Sequence, residues 1–186
     1  MSQIRTYYET KETKNQVFSN IPFLLVCPVG ISGGWSPEIP DIGGLLRLLR
    51  IGGGITFGGG EPLLSCKEIL HFHKSCIDNG KQWKINIETS LNVLETFVEV
   101  VEKIVNHWIV DIKDMNPEIY KAYTGVDNHL VISNLQHLIE KKAKITVRVP
   151  IIPNFNTEAD IEKSIETLQK MGITDIEQFT YTIKEH

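Results

Sequence analysis

The chain has 186 residues, 41% of them hydrophobic and 23% charged, the balance of an ordinary globular domain with enough core to fold unaided. Its formal net charge of −4 removes the basic face that a nucleic-acid backbone needs, and no apolar run nears the roughly 20 residues that span a bilayer. The polar start MSQIRTYYETKETKNQ lacks the apolar centre of a secretory signal, and three scattered cysteines suit a reduced cytoplasm better than a disulfide framework.

In chain order, the first apolar run predicts a strand over Phe23–Cys27, followed by the glycine-rich stretch CPVGISGGWSP. A helix is expected over Ile42–Arg50 and a strand over Gly54–Phe57. Apolar residues at three- and four-residue spacing predict a helix over Ser65–Asn79. Strands over Lys84–Glu88 and Trp108–Lys113 enclose a helix over Val93–Val105. A helix over Leu130–Lys141 then precedes a strand over Ile145–Ile151. The last helix, Glu158–Met171, opens on Thr157 with Asp160 three positions on, close to a capping box. A strand over Ile176–Thr180 closes the series.

Strands alternating with helices of this length imply an α/β fold with parallel strands and right-handed crossovers. Six units fit an incomplete β/α barrel or a doubly wound open sheet, and both put their sites at the C-terminal ends of the strands. With no seventh or eighth unit, the expectation is a partial (β/α)6 barrel with a parallel six-stranded sheet, one domain over residues 1–186. No internal repeat, low-complexity tract or linker interrupts it.

Chemistry is therefore sought at the strand ends. Cys27 ends the first strand, where a lone cysteine is most simply a small buried hydrophobe. The second strand leads into ITFGGGEPLL, where three glycines let the backbone approach a ligand closely. A tight turn into a Pro-initiated helix explains the glycine and proline there but not the need for three glycines. The absent Lys-Ser/Thr ending excludes a Walker loop. The third strand offers Glu88, Thr89 and Ser90, either as ligand contacts or as caps of the next helix. In VDIKDM, Asp111 and Lys113 lie two apart and so share a strand face, where they pair with each other or with a ligand. Arg148, inside the apolar strand of TVRVPIIPNFN, calls for a carboxylate or phosphate. His71 and His73, two apart on a helix, point to different faces and make no metal clamp.

Three stretches together resemble one family. GITFGGGEPLL is similar to the Gly-Gly-Glu-Pro motif of radical S-adenosylmethionine enzymes. VDIKDMNPEIYKAYTGVDNHLVISNLQHL resembles the middle of pyruvate formate-lyase-activating enzymes and other activases of glycyl radical enzymes, and RVPIIPNFN fits the same family's fifth strand. The likeness runs in order from about Tyr7 to the C-terminus.

The resemblance implies a [4Fe–4S] cluster held by three thiolates in a Cys-x3-Cys-x2-Cys loop, with the open iron chelated by S-adenosylmethionine. Reductive cleavage of that cofactor gives a 5′-deoxyadenosyl radical, which takes hydrogen from a glycine of the partner, a glycyl radical enzyme. The electron donor would be a flavodoxin or ferredoxin. Carried over, Gly59, Gly60 and Glu61 receive the methionyl amino group and Pro62 shapes the turn. Glu88, Thr89 and Ser90 lie near the cofactor, Asp111 and Lys113 help to hold it, and Arg148 is the basic position of the fifth strand. Cys27 is the first cluster ligand, but Ile31 and Gly34 stand at the second and third ligand positions. The aromatic expected before the third ligand is Gly33, Leu91 stands where glycine is usual, and Thr182 falls near the family's histidine. Cys66 and Cys76 lie outside the cluster loop. The expected function is thus that of a glycyl-radical-enzyme activase with an incomplete cluster site. Two other readings are a cofactor- or partner-binding relative without radical chemistry, and a β/α-barrel lyase using Lys113 as a Schiff base.

Overall fold

A computed structural model describes Leu24–Leu25 and residues 54–80 and 82–180. Its strands are β1 (Leu24–Leu25), β2 (Gly54–Phe57), β3 (Lys84–Thr89), β4 (Val105–Asp111), β5 (Ile145–Ile151) and β6 (Ile176–Thr180). A single 3-10 turn, Pro62–Ser65, follows β2. The helices are α1 (Cys66–Asp78), α2 (Glu95–Val101), α3 (Pro117–Thr124), α4 (His129–Glu140) and α5 (Glu158–Lys170).

Along β3, Ile85, Ile87 and Thr89 are buried while Asn86 and Glu88 between them are half-buried. Along β4, Trp108 and Val110 are buried while His107, Ile109 and Asp111 are half-buried. The buried set joins Ile69 of α1, Val98 and Val101 of α2, Leu135 and Leu138 of α4, and Ile161 and Leu168 of α5 in one core. Each such side chain contributes about 1.5–3 kcal/mol on leaving water. A parallel sheet with helices on both faces needs nearly continuous apolar strands. The alternation here shows that the described helices cover one face of β3 and β4, and that the opposite face carries Asn86, Glu88, His107 and Asp111 with Ile109 among them.

The strands lie side by side in chain order, β1 to β6, in one sheet. A doubly wound sheet reverses its order at a switch point, whereas a barrel advances strand by strand. The order and the polar second face together give the partial-barrel arrangement, with β2 to β6 all parallel.

Several expectations need correction. The sheet is not wholly parallel: β1 pairs with β2 antiparallel, Leu24 opposite Phe57. A short apolar run reads the same in both directions, so its pattern never specified the strand's sense. The expected helix Ile42–Arg50 lies outside the described residues. The helix expected to reach Val105 stops at Val101, and Val105 begins β4. Asn106 lends its side-chain Oδ1 to the Ile85 amide at 2.8 Å, beside a register shift between Ile85 and Asn86. At its far end β4 stops at Asp111, so Lys113 lies beyond the strand. Helix α3 was not anticipated, although Asn116 caps it, Pro117 opens it and Gly125 ends it at φ 82°.

The capping box forms as expected. Thr157 and Asp160 each bond the other's backbone N–H at the start of α5. Thr157→Ala should therefore lower the unfolding free energy by about 1 kcal/mol, as loss of an N-cap usually does, with little change in m-value in a urea titration. An unchanged midpoint would mean that α5 is held by packing alone.

Candidate functional site

After β2 the chain turns on Gly59 at φ 82° and Gly60 at φ 56°, left-handed conformations that glycine adopts without a side-chain clash. Glu61 then returns to extended backbone and caps the 3-10 turn, with Pro62 behind it. Its carboxylate accepts four hydrogen bonds. Oε1 takes the Leu63 amide at 3.2 Å and the Thr89 hydroxyl at 2.6 Å. Oε2 takes the Ser90 amide at 3.0 Å and the Ser90 hydroxyl at 2.7 Å. Glu61, Thr89 and Ser90 thus form one hydrogen-bonded unit that fastens the end of β2 to the end of β3.

The turn after β3 is held from behind. Leu91 has φ 57° and is fully buried. Left-handed backbone costs a non-glycine residue about 1–2 kcal/mol, and the buried leucine offsets that cost. Asn134 of α4 donates its Nδ2 to the carbonyls of Leu91 at 2.9 Å and Val93 at 2.8 Å. Asn134 was not a candidate from the sequence, since an asparagine within a helical repeat reads as a surface residue.

Arg148 on β5 is 7% exposed and finds its carboxylates within the chain. Its Nη1 lies 2.8 Å from Glu88 Oε1 on β3, and its Nε lies 3.3 Å from Glu177 Oε2 on β6. Glu88 is thereby tied to Arg148, while Thr89 and Ser90 are tied to Glu61.

Asp111 ends β4 opposite Arg148. Its Oδ1 is buried without a hydrogen-bond partner, one of two such side-chain atoms among the described residues. Burial pushes its carboxyl above the ordinary aspartate range, and the nearby Lys113 ammonium pulls the other way without cancelling it. An orphaned carboxylate oxygen at a strand end suits a cofactor that brings hydrogen-bond donors and positive charge.

The cluster loop, with Cys27, Ile31 and Gly34, lies outside the described residues. Its donor chemistry is still legible, because isoleucine and glycine carry no side-chain ligand for iron. Cys66 is buried and Cys76 half-buried, and burial pushes both thiols up, away from the thiolate that ligates metal. Among the described residues no group of three His, Cys, Asp or Glu side chains converges as a metal site.

Strands advancing in order, with polar groups at their C-terminal ends, define a partial β/α barrel, and solved structures share that fold. A domain of pyruvate-formate lyase-activating enzyme from Bacteroides vulgatus superposes with a TM-score of 0.50 at 20% identity, covering 68% of this chain and 99% of that one. Streptococcus suis SuiB bound to S-adenosylmethionine superposes with a TM-score of 0.57 at 16% identity, covering 74% of this chain and 32% of that one.

The chain's homologues are activating enzymes of glycyl radical enzymes. The (2S)-3-sulfopropanediol dehydratase activating enzyme of Klebsiella oxytoca is 36% identical over 145 residues, 72% of this chain and 45% of that protein. The 4-hydroxyphenylacetate decarboxylase activating enzyme of Clostridioides difficile is 34% identical over 68% of this chain and 40% of its own length. Pyruvate formate-lyase 1-activating enzyme of Escherichia coli is 24% identical over 59% of this chain and 44% of its own. The chain thus spans less than half the length of these relatives. No family model matches it.

The raised Asp111 carboxyl has a consequence for stability. The folded state holds that proton more tightly than the unfolded chain, so wild-type stability falls as pH rises from about 4 through the raised value. Asp111→Asn carries no such charge. Its stability relative to wild type should grow across that window and then level off, measured by denaturant unfolding from pH 4 to 8. A difference that stays flat with pH would show that Asp111 is solvated in the folded protein.

Proposed function

We propose that this chain is the core of a glycyl-radical-enzyme activating enzyme, with its S-adenosylmethionine site at the C-terminal ends of β2, β3 and β4. The observation that carries this reading is Asp111 Oδ1, buried beside Lys113 with no hydrogen-bond partner among the described residues. S-adenosylmethionine brings an ammonium, a sulfonium and ribose hydroxyls to such a carboxylate. The backbone at Gly59 and Gly60 receives the methionyl ammonium, with Glu61 adding its negative charge. Because four donors already occupy that carboxylate, Glu61 acts as much by fixing Thr89 and Ser90 as by contact. Pro62 sets the turn, Asp111 and Lys113 hold the cofactor's polar groups, and Glu88 with Arg148 borders them.

Bound S-adenosylmethionine supplies a sulfonium whose reductive cleavage yields a 5′-deoxyadenosyl radical. The [4Fe–4S] cluster that delivers the electron in the family does not fit the residues of this chain. Cys27 is the lone thiolate among positions 27, 31 and 34, and one thiolate does not hold a four-iron cluster. That donor set favours a second reading of the same site, a relative that binds cofactor or partner without radical chemistry. In both readings the partner is a glycyl radical enzyme. In the first, a flavodoxin or ferredoxin is the electron donor. A Schiff base on Lys113 gains no support from the homologues.

Two measurements test this. In calorimetric titration S-adenosylmethionine should bind weakly. Neutral hydrogen bonds of about 0.5–1.5 kcal/mol and charge-assisted ones of about 1.5–3, less the cost of ordering the ligand, give a Kd on the order of tens of micromolar to millimolar. Asp111→Ala should weaken binding roughly tenfold or more, since it also leaves Lys113 without that charge. Identical titrations of the two proteins would remove the site from Asp111. After anaerobic reconstitution with iron and sulfide, the unaltered chain should hold substoichiometric iron. The double change Ile31→Cys with Gly34→Cys should restore a brown, redox-active species. Full four-iron loading of the unaltered chain would mean that the ligands lie elsewhere.

A further inference from the structure

The segment PNFN that follows β5 takes no part in the site described so far, yet it reaches directly into it. Asn154 has φ 70°, which turns the chain back, and Phe155 stacks edge-on against Tyr123 of α3, ring centroids 5.0 Å apart. Asn156 is 8% exposed, and both ends of its amide are engaged. Its Oδ1 accepts the Ile152 amide at 2.6 Å. Its Nδ2 donates to Pro150 O at 3.1 Å, to Lys113 O at 3.3 Å and to Asp114 Oδ2 at 3.3 Å.

Asp114, 1% exposed, is the hub on the other side. Its Oδ1 accepts the Asn116 amide at 2.8 Å and the Ser164 hydroxyl of α5 at 3.1 Å. Ser164 Oγ also accepts the Met115 amide at 3.0 Å, and Asn128 Nδ2 donates to Met115 O at 3.0 Å. Just before this knot, the Ile112 amide still donates to Arg148 O at 3.0 Å, in continuation of the β4–β5 ladder. Residues 111–113 are thus held at one end by the sheet and at the other by Asn156 and Asp114. Beyond the ladder, Asn156 Nδ2 donates to the Lys113 carbonyl.

We infer that Asn156 is a positioning residue: it couples the loop after β5 to the loop after β4 and so sets where Asp111 and Lys113 present their charges. The inference rests on the reading that these two residues hold S-adenosylmethionine, and it concerns a residue that does not itself touch the ligand. The substitution Asn156→Asp keeps size and the Ile152 contact but removes both donors and sets a second carboxylate against Asp114. Adding Asp114→Asn to it restores a donor between positions 114 and 156.

The test combines amide hydrogen exchange of the apo protein with calorimetric titration of S-adenosylmethionine. Asn156→Asp should speed exchange of the Ile112, Met115 and Asn116 amides at least tenfold more than that of the β3 amides, and should weaken S-adenosylmethionine about tenfold. The double variant should recover part of both, because the bond between positions 114 and 156 returns while the donor to the Lys113 carbonyl does not. Ser164→Ala, a milder change that suits a helix, should speed exchange at Met115 and Asn116 and weaken binding in the same direction even if Asn156→Asp fails to fold. A role in stability alone would leave affinity unchanged among folded variants, and exchange rising equally in β3 would likewise overturn the inference. If the wild-type chain binds no S-adenosylmethionine while exchange changes locally as described, the functional reading fails and the coupling of the two loops stands.

Discussion

Much at this site follows from the alternation of buried and half-buried residues along β3 and β4. The helices take Ile85, Ile87, Trp108 and Val110 and their neighbours into a single core, which leaves Asn86, Glu88, His107 and Asp111 on the other face. Polar groups on a half-buried face cost free energy unless each finds a partner. Most are partnered within the chain. Thr146 donates to Asp175 at 2.6 Å and meets His107 Nε2 at 2.8 Å, and Asn86 donates to Thr56 at 3.3 Å. Because Thr146 gives its proton to a carboxylate, His107 is the donor in its own contact, and burial pushes its imidazole towards the neutral form.

The ion pairs of Arg148 obey the same requirement. A guanidinium this buried needs opposing charge close by, and Glu88 and Glu177 approach it from the strands on either side of the β4–β5 pair. Removing either carboxylate would leave part of a buried cation uncompensated, a larger loss than the pair's net worth. Arg148 therefore works first as a brace across β3, β5 and β6. Glu61 does the same for β2 and β3 with hydrogen bonds instead of a salt bridge. The groups that resemble cofactor contacts are thus also the groups that hold the strand ends in register.

Much of this was legible in the sequence, and what was missed has physical causes. Strands β2, β5 and β6 lie where apolar residues and their flanks placed them, because a strand bounded by Gly, Pro or a polar turn has little room to slide. The start of β4 was hidden because VVEKIV carries apolar residues that suit the end of a helix and the start of a strand equally well. Helix α3 had its Asn cap, its Pro and its Gly in plain view, but its eight residues are too few for periodicity to speak. The strand-end candidates came together as pairs that no spacing announces. Glu61 meets Ser90 and Arg148 meets Glu88 across the sheet, and only the register decides that. Asn134 and Asn156 act through backbone carbonyls, a role that leaves no motif.

The same bookkeeping of partners explains how the fold can coexist with a single cysteine among positions 27, 31 and 34. A metal holds a fold together when its ligands stand in for a core, as in a small zinc domain. Here the core is built by α1 to α5 on β2 to β5, and the polar contacts of Glu61, Thr89, Ser90, Glu88 and Arg148 close on one another without iron. Nothing in that set depends on Ile31 or Gly34 being cysteine. Asp111 differs, since its Oδ1 has no hydrogen-bond partner among the described residues. An asparagine or an apolar residue would be easier to bury at that position, and in the proposed reading a bound cationic ligand accounts for the carboxylate there.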